Sequence, residues 1–170
     1  MKSKKILLCS DTHSFFDDSL WPYVAKSDEV WHAGDVGDVS IIDRLNSSSP
    51  KVRAVYGNID GGDIRLLLPE FQIFSYGNLK VMMIHIAGSL GRYNAQVREL
   101  ISMNHPNVLV CGHSHILKIG FDTKFNLLYM NPGACGHHGF HKIRTVLKFC
   151  MNEEKIHSVE VVELGKRGRK

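Results

Sequence analysis

The stretch Lys5-Ile6-Leu7-Leu8-Cys9-Ser10-Asp11-Thr12-His13 decides the fold. Its apolar run from Ile6 to Leu8 predicts a buried strand, and Asp11 and His13 follow where that strand ends and a loop begins. Ligands of open α/β sheets bind at the carboxyl ends of the strands. A carboxylate and an imidazole two residues apart can turn toward one point there. Such a pair is common, so its meaning depends on whether the chain supplies further ligands.

The composition is that of one globular domain. The chain has 170 residues, of which 44% are hydrophobic and 22% charged. We assign the domain to residues 1–165. No apolar run approaches the roughly 18 residues that span a membrane, and the apolar run after the N-terminal lysines is too short for a signal peptide. These features predict a cytoplasmic protein without a membrane segment.

The positive net charge of the chain comes from its two ends. Residues 166–170 carry four positive charges and residues 1–5 carry three, so removing these seven from the net +4 leaves −3 on the body. A nucleic-acid-binding domain carries a basic face instead, so nucleic acid is not indicated as a partner. We expect residues 166–170 to form a disordered basic tail.

Strands alternate with helices along the first third of the chain, which favours a layered α/β architecture. Beyond Gly61-Gly62 shorter strands dominate, and Gly77-Asn78 is the signal of a two-residue hairpin loop. The pattern predicts two β-sheets packed as a sandwich, with helices on the outside. The predicted strands cover residues 5–9, 29–33, 51–56, 72–76, 80–84, 107–111, 118–121, 127–130, 145–149 and 157–162, and the predicted helices cover 15–26, 39–46 and 94–103.

Seven residues of the type that binds metals stand at the ends of successive predicted strands. They are Asp11, His13, Asp35, Asn58, His85, His113 and His115. Oxygen and nitrogen donors without a thiolate suit Mn²⁺, Fe, Zn²⁺ or Ni²⁺. One zinc site needs three or four protein ligands, so seven are enough for two metals that share a bridge. Asp35 is the candidate bridge, because it lies on the central loop of the set and has two oxygens.

The charges of this set indicate the substrate. Two divalent ions bring four positive charges, and Asp11, Asp35 and a bridging hydroxide remove three. The remaining positive charge suits an anionic substrate such as a small phosphate ester. Two metals about 3.5–4 Å apart clamp the attacking and leaving oxygens of an in-line displacement. The set therefore predicts hydrolysis of a phosphate ester by in-line attack of a metal-bridging hydroxide.

Five motifs occur in a fixed order: Asp11-x-His13, Gly34-Asp35, Gly57-Asn58-x-Asp60, His85 and Gly112-His113-x-His115. Together they resemble the calcineurin-like metallophosphoesterase superfamily. The size is similar to that of its small bacterial and archaeal phosphodiesterase branch, which also includes the eukaryotic retromer subunit of the same fold. The resemblance covers the chain up to about Gly133. It implies a four-layer αββα sandwich, with two mixed β-sheets flanked by helices and a metal site at the carboxyl ends of the strands.

The resemblance also implies how the ligands divide between two divalent ions, with Mn²⁺ as the first choice and Fe, Zn²⁺ or Ni²⁺ as alternatives. One ion would take Asp11, His13, Asp35 and His115, and the other would take Asp35, Asn58, His85 and His113. Asp35, Asn58 and His113 would act in catalysis through the metal-bound hydroxide and the phosphate. The loop Asn131-Pro132-Gly133 would lie near the site.

Two functions remain open at this point. The retromer subunit has lost metal ligands, whereas this chain keeps all seven, which favours an active metal-dependent enzyme. We expect a phosphodiesterase rather than a phosphatase. The alternative is a non-catalytic protein-binding module on the same fold, with structural or weakly bound metals. The sequence leaves open the physiological substrate and the choice between monoester and diester. Exposed apolar residues at the edges of the fold would allow a homo-oligomer.

The chain departs from the superfamily at two positions. Ile59 stands where a histidine usually helps to protonate the leaving group, and such help is worth about 10²–10⁴-fold. Ile86 stands where a glycine commonly follows the fourth-motif histidine, and it would narrow the approach to the site. His137 and His138, in the segment Gly136–His141, are candidates to replace the missing donor. The alternative is a surface loop with incidental histidines.

Three further polar residues are expected to support the ligands from behind. Asp60 and His32 would orient the loops that carry the ligands by hydrogen bonds. Asp38 is a candidate for the same role, but the N-cap of the following helix is the preferred interpretation. The alternative for Asp60 is a catalytic acid.

Overall fold

The computed structural model describes residues 3–48 and 51–168. Its strands are β1 (Lys4–Cys9), β2 (Glu29–His32), β3 (Lys51–Ala54), β4 (Phe71–Tyr76), β5 (Leu79–Ile84), β6 (Gly88–Ser89), β7 (Arg92–Tyr93), β8 (Val108–Val110), β9 (Leu117–Asp122), β10 (Leu127–Pro132), β11 (Ile143–Met151) and β12 (Ile156–Lys166). Its helices are α1 (Trp21–Val24), α2 (Val39–Ser48), α3 (Gly62–Leu67) and α4 (Ala95–Asn104), and a 3-10 turn covers Asp18–Leu20.

The larger strands form two five-stranded mixed sheets. The first has the order β12-β11-β1-β2-β3 and the second the order β4-β5-β8-β10-β9, while β6 and β7 pair with each other. In the first sheet β1, β2 and β3 are parallel, and in the second β5, β8 and β10 are parallel. The carboxyl ends of each parallel set therefore share one edge of their sheet.

Successive side chains of each strand point to opposite faces of its sheet, and both faces are covered by other layers. Leu8 and Trp31 of the first sheet pack against Met83 and Val110 of the second in a buried core between the sheets. The opposite faces bury Leu7 and Val30 against α1, α2 and α3, and bury Leu109 against α4. A strand buried on both faces reads as a continuous apolar run, which is why Ile6-Leu7-Leu8 has no polar member. The predicted αββα sandwich with two mixed sheets is confirmed.

The helix predicted over residues 15–26 is wrong in extent. The structure has only the 3-10 turn and α1, with four helical residues. The Asp17 side chain accepts from the backbone N of Ser19 and starts the turn. The backbone N of Phe15, the first residue of the predicted helix, donates to the carbonyl of Thr12 at 2.9 Å in the loop after β1. The first residues of the segment serve the loop after β1 instead.

Two elements were missed by the sequence pattern. Helix α3 begins at Gly62 directly after Gly61, whereas two adjacent glycines in a sequence favour a break in regular structure. The short pair β6–β7 has two residues in each strand, too few for a periodic signal. The predicted Gly77-Asn78 hairpin is present, since β4 and β5 pair antiparallel up to Tyr76 and Leu79.

The carboxyl-terminal strand is longer than predicted. β12 extends through Lys166, and the backbone N of Arg167 donates to the carbonyl of Lys142 at 3.0 Å. The disordered tail expected from Lys166 onward is therefore wrong for Lys166 and Arg167, because they continue the pairing with the segment before β11. Arg169 and Lys170 lie outside the described residues.

The longest described helices, α2 and α4, have ten residues each. None of the helices in the described part of the chain has the length and apolar character needed to cross a bilayer.

Candidate metal centre

All seven predicted ligands follow parallel strands. Asp11 and His13 follow β1, Asp35 follows β2, Asn58 follows β3, His85 follows β5, and His113 and His115 follow β8. The two sheets bring their strand ends together: His85 Nδ1, after β5, donates to the carbonyl of Ala33, after β2, at 2.7 Å, and the backbone N of His113 donates to Asp11 Oδ2 at 3.2 Å. The ligands therefore meet where the two sheets face each other.

Backbone hydrogen bonds fix the loops after β1 and β2 side by side. The backbone N of Asp11 donates to the carbonyl of Gly34, and that of His13 donates to the carbonyl of Asp35, each at 3.0 Å. Asp11, His13 and Asp35 have φ angles of 56°, 46° and 54°. Such left-handed conformations cost about 1–3 kcal/mol each outside glycine, and they concentrate at functional sites. Here the paired loops hold them in place.

The ligand atoms form two groups, each with its atoms within 4.8 Å of one another: Asp11, His13 and His115 in the first, and Asp35, His85 and His113 in the second. In the first group, His115 Nε2 lies 3.2 Å from Asp11 Oδ1 and 3.4 Å from His13 Nε2.

Asn58 lies with the second group. Its Oδ1 is 2.8 Å from His113 Nδ1 and 3.2 Å from His85 Nε2. The seven predicted residues thus come together in two neighbouring sets.

Asp35 lies between the two groups. Its Oδ2 is 3.5 Å from His13 Nε2 of the first group, and its Oδ1 is 3.2 Å from His85 Nε2 of the second. The close approach of the loop after β3 depends on Gly57, because a Cβ there would lie 2.0 Å from Asp35 Oδ1. The backbone N of Ile59 also donates to this oxygen at 3.1 Å.

The protonation of the ligands suits metal binding. Burial would raise the pKa of Asp35, but the hydrogen bond and charge of His85, with the charge of His13, lower that pKa overall. Desolvation lowers the pKa values of His13 and His113. At neutral pH Asp35 is therefore ionised, and the imidazoles of His13 and His113 keep a free lone pair.

Two atoms show that the residues fit a cation. Asp11 Oδ1 is buried without a hydrogen-bond partner, although such oxygens are normally paired. His85 Nδ1 donates to the carbonyl of Ala33 at 2.7 Å, which leaves Nε2 facing Asn58 Oδ1, itself an acceptor.

Desolvation lowers the pKa of His85, but the hydrogen bond to Asp35 and the nearby acidic charges raise it overall. The nitrogen and oxygen donors of the site suit divalent metal ions.

His32 and Asp60 lie behind the ligands. His32 Nδ1 accepts from the backbone N of Gly34 at 3.2 Å, and its Nε2 donates to Thr12 Oγ1 at 2.9 Å. Desolvation lowers the pKa of His32 to about 4, so the ring is neutral. Thr12 Oγ1 in turn donates to the carbonyl of Val36 at 2.9 Å, so these groups join the loops after β1 and β2.

Asp60 accepts three backbone hydrogen bonds. Its Oδ2 accepts from Gly57 at 2.7 Å and from Val36 at 3.1 Å, and its Oδ1 accepts from Gly37 at 2.8 Å. It therefore ties the loop that carries Asn58 to the loop that carries Asp35.

Asp38 does not take the role of supporting the ligands. Its side chain is exposed, and its Oδ1 accepts from the backbone N of Ser40 at 2.8 Å. Asp38 directly precedes α2, so its position agrees with the preferred interpretation as a helix cap.

The histidine-bearing loop packs against the first ligand group. The backbone N of Gly136 donates to the carbonyl of Asp11 at 3.1 Å. The ring of His138 lies 4.8 Å from that of His13, and the ring of His141 lies 5.3 Å from that of His115. His137 Nδ1 hydrogen-bonds the carbonyl of Arg167. The structure thus places these histidines beside the site rather than on a remote surface.

Some residues at the site carry no local signal in the sequence. Asn131 Nδ2 donates to the carbonyl of Gly112 at 2.8 Å and to Ser114 Oγ at 3.1 Å, which holds the turn between His113 and His115. The resemblance placed this loop near the site without giving it a role. Thr12 and Arg167 were not identified, since only the folded chain brings their partners to them.

Two pockets flank the centre. The larger, about 560 Å³ and here called the Arg167 pocket, is lined by His13, Ser14, Phe15, Ile59, His137, His138, Arg167 and Gly168. The smaller, about 280 Å³ and here called the Asn58 pocket, is lined by Tyr56, Gly57, Asn58, Arg65, Glu70, Ile84, His85, Ile86, Asn94 and Gln96. The adjacent residues Asn58 and Ile59 line one pocket each, so the two pockets lie on either side of this turn.

Known proteins resemble this chain in sequence and fold. The calcineurin-like phosphoesterase superfamily domain matches residues 5–154. A protein named phosphodiesterase MJ0936, from Methanocaldococcus jannaschii, is 25% identical over 146 residues, covering 77% of this chain and 84% of that protein.

Solved structures resemble this chain over nearly its whole length. A protein described as a predicted phosphoesterase, from Streptococcus pneumoniae TIGR4, aligns with a TM-score of 0.71 at 21% identity, over 96% of this chain and 91% of its own. Vps29 of Entamoeba histolytica, in complex with Zn²⁺, aligns with a TM-score of 0.72 at 15% identity, over 96% and 99%. At this level of identity both likenesses concern the fold.

Proposed function

The chain belongs to the calcineurin-like phosphoesterase superfamily, as its five motifs predicted, and we propose that it is a phosphodiesterase that uses two divalent metal ions, with Mn²⁺ as the first choice. The position of Asp35 carries this proposal. Each of its two carboxylate oxygens faces a different ligand group, which is the arrangement of a bridging ligand. A single-metal site would have no use for the second group.

The protein supplies position and charge. Divalent ions bound there would acidify a water molecule and neutralise charge on the phosphate. Among the seven ligands only Asp11 and Asp35 are acidic, so the loaded site keeps a positive charge for an anionic substrate. Asn58 contributes a neutral oxygen, which holds a cation without adding negative charge. The paired loops keep all these atoms in place before substrate arrives, which is the basis of electrostatic stabilisation.

The two pockets favour a diester over a monoester. A phosphodiester has two substituents, and one pocket lies on each side of the Asn58–Ile59 turn. The similar protein from Methanocaldococcus jannaschii is named a phosphodiesterase, which agrees with this choice. Ile59 is 44% exposed at this turn and offers no hydrogen to a leaving group.

His137 and His138 are the candidates to compensate for Ile59. Both line the Arg167 pocket, and His138 is in ring contact with His13. We place them there as hydrogen-bond donors to an ester or phosphate oxygen. If the double change to alanine leaves kcat and KM unchanged on diesters with good and poor leaving groups, the two histidines have no such role.

The activity test compares a diester and a monoester with the same chromophore. Wild-type protein reconstituted with Mn²⁺ should hydrolyse bis(4-nitrophenyl) phosphate with a higher kcat/KM than 4-nitrophenyl phosphate. Asp35→Asn should lose at least about 100-fold, as expected when a metal bridge and a preorganised charge are removed together. Asp38→Asn is the matched control, since Asp38 caps α2 at the surface, and it should behave as wild type.

A binding module on the same fold is the second candidate. The Vps29 likeness is consistent with it, and that likeness concerns the fold. The convergence of all seven ligands argues against it, because a binding surface does not require them. Absence of hydrolysis with Mn²⁺, Zn²⁺, Ni²⁺ and Fe²⁺ would decide for the binding module.

A further inference from the structure

The Arg167 pocket contains a positively charged side chain, Arg167, that is not one of the predicted metal ligands. Building on the proposed function, we propose that this pocket binds a substituent of the diester that itself carries a negative charge, a carboxylate or a second phosphate. The preferred substrates are then diesters with an additional anionic group, and Arg167 is a specificity-determining residue.

The ionisable groups that line the pocket are all basic. They are His13, His137, His138 and Arg167. The Asn58 pocket, by contrast, contains both Arg65 and Glu70. Arg53 and Arg144 each pair with a carboxylate within 2.8 Å, whereas no carboxylate within residues 3–48 and 51–168 forms an ion pair with Arg167. The guanidinium of Arg167 is therefore a cation without a described counter-ion, beside a site that binds a charged substrate.

Arg167 lies close to the first ligand group of the metal centre. His137 Nδ1 hydrogen-bonds its carbonyl, and its backbone N donates to the carbonyl of Lys142 at 3.0 Å. Arg167 and the proposed ligand His13 line the same pocket, so the positive charge of Arg167 belongs to the surroundings of the first ligand group.

The wall that carries Arg167 is held by a buried ion pair. Arg144 is only 7% exposed, and its Nη1 lies 2.6 Å from Asp17 Oδ2. Its Nη2 donates to the carbonyl of Leu164 at 2.6 Å, near the end of β12. Arg144 thus joins the segment after β1 to the end of β12, and both segments contribute residues to the lining of the pocket. A preformed wall spares a substrate the cost of ordering it.

The pocket also has an aromatic surface. The rings of Phe15 and His137 lie 4.2 Å apart at an angle of 57° and pack against each other. Flat apolar groups pack well against such a surface. The occupant that fits best is therefore an aromatic or similarly flat group with an anionic substituent that reaches Arg167.

The test uses three diesters that share one leaving group. 4-Nitrophenyl phenyl phosphate, whose phenyl group is uncharged, is the reference, and its partners, here called the charged diesters, carry an additional 4-carboxylate or 4-phosphate on the phenyl ring. In each case water adds to phosphorus, the bond to the nitrophenyl oxygen breaks, and nitrophenolate leaves with a proton released to solvent. Wild type should show a KM about tenfold lower for the charged diesters, as expected for a charge-assisted contact that solvent partly screens. The two charged diesters distinguish carboxylate from phosphate as the preferred group.

Variants then assign the preference to Arg167. Arg167→Ala should remove the tenfold difference in KM between the diesters, whereas Arg167→Lys should keep part of it. Arg98→Ala is the control, because it removes the same charge from the exposed face of α4. Higher salt should reduce the preference in wild type and not in Arg167→Ala.

A binding measurement separates this proposal from the proposed function. Phenyl phosphate and 4-carboxyphenyl phosphate are titrated calorimetrically into wild type and Arg167→Ala, with Mn²⁺ and with EDTA. If no diester is hydrolysed but wild type binds the carboxylated compound about tenfold more tightly through Arg167, as a charge-assisted contact predicts, the pocket is correct and the enzyme function is wrong. Equal KM and equal affinity in wild type for compounds with and without the charged ring substituent, or a preference that persists in Arg167→Ala, would overturn the pocket.

Discussion

The hydrogen bonds accepted by the Asp60 carboxylate predict a link between the stability of the fold and metal binding. It is 3% exposed and accepts from the backbone N–H groups of Val36, Gly37 and Gly57 at 3.1, 2.8 and 2.7 Å. These donors belong to the loops that carry Asp35 and Asn58. The change Asp60→Asn keeps the shape of the side chain and alters only the charge and the number of acceptors.

The magnitude follows from the three hydrogen bonds. An amide offers one oxygen and turns its NH₂ group toward at least one backbone N–H, so at least one buried donor loses its partner and faces another donor. An unpaired buried donor costs about 1–3 kcal/mol, and the hydrogen bonds that remain lose the contribution of the charge. We therefore expect Asp60→Asn to lower the free energy of unfolding by about 3 kcal/mol.

The assay is urea unfolding at pH 7.5 in EDTA, followed by titration with Mn²⁺. Asp60→Asn should also weaken Mn²⁺ binding, because both ligand loops relax; changes in residues behind the ligands typically cost about 10–100-fold in affinity. Asp38→Asn is the control: asparagine is as good an N-cap as aspartate, so its stability should stay within about 0.5 kcal/mol of wild type. The reasoning is refuted if Asp60→Asn matches Asp38→Asn in both measurements.

Three further predictions concern residues around the centre. Because desolvation lowers the pKa of His32 to about 4, the unfolded chain gains a proton there on acidification that the folded chain does not. About 3 kcal/mol of stability is thus present above pH 6.5 and lost as the pH falls to 4. His32→Gln should reduce the change in the free energy of unfolding between pH 6.5 and pH 4, measured by urea unfolding. The same pH dependence in both proteins would contradict the assignment. Gly57→Ala places a Cβ 2.0 Å from Asp35 Oδ1, whereas a Cβ at Gly61 meets nothing within 4 Å. We expect roughly a 100-fold loss of diester turnover for Gly57→Ala and no loss for Gly61→Ala, and equal rates would argue against a positioned Asp35. Ile59→His should raise turnover of a diester with a phenol leaving group by up to about 100-fold and that of a nitrophenol diester much less; equal gains would exclude leaving-group assistance at this position.

The positions of the ligands were predictable because they depend on local features. Asp11, Asp35 and His85 each stand just past the end of a buried apolar strand, and parallel strands bring such ends to a common edge. The grouping into two sets came from the resemblance to the superfamily, and the structure places the same residues together. Their roles as metal ligands remain predictions.

The Arg167 pocket was not predictable, because it depends on contacts between the two ends of the chain. Arg144 meets Asp17 across 127 residues of sequence, and Arg167 follows a strand whose length depends on pairing with β11. In the sequence the same residues are an unremarkable basic tail and a weak helical pattern. The segment 15–26 failed as a helix for the same reason, since its first residues are committed to the loop beside the site.

Counting metal ions per chain tests the central claim most directly. Wild-type protein equilibrated with Mn²⁺ should bind two ions and hydrolyse bis(4-nitrophenyl) phosphate. Asp11→Ala should keep the ion held by Asp35, Asn58, His85 and His113 and lose the other, together with most of the turnover. Asp35→Ala should weaken both ions, because its two oxygens face both groups. One ion or none in wild type, or two ions with undiminished turnover in Asp35→Ala, would contradict a shared bridge at the centre of this fold.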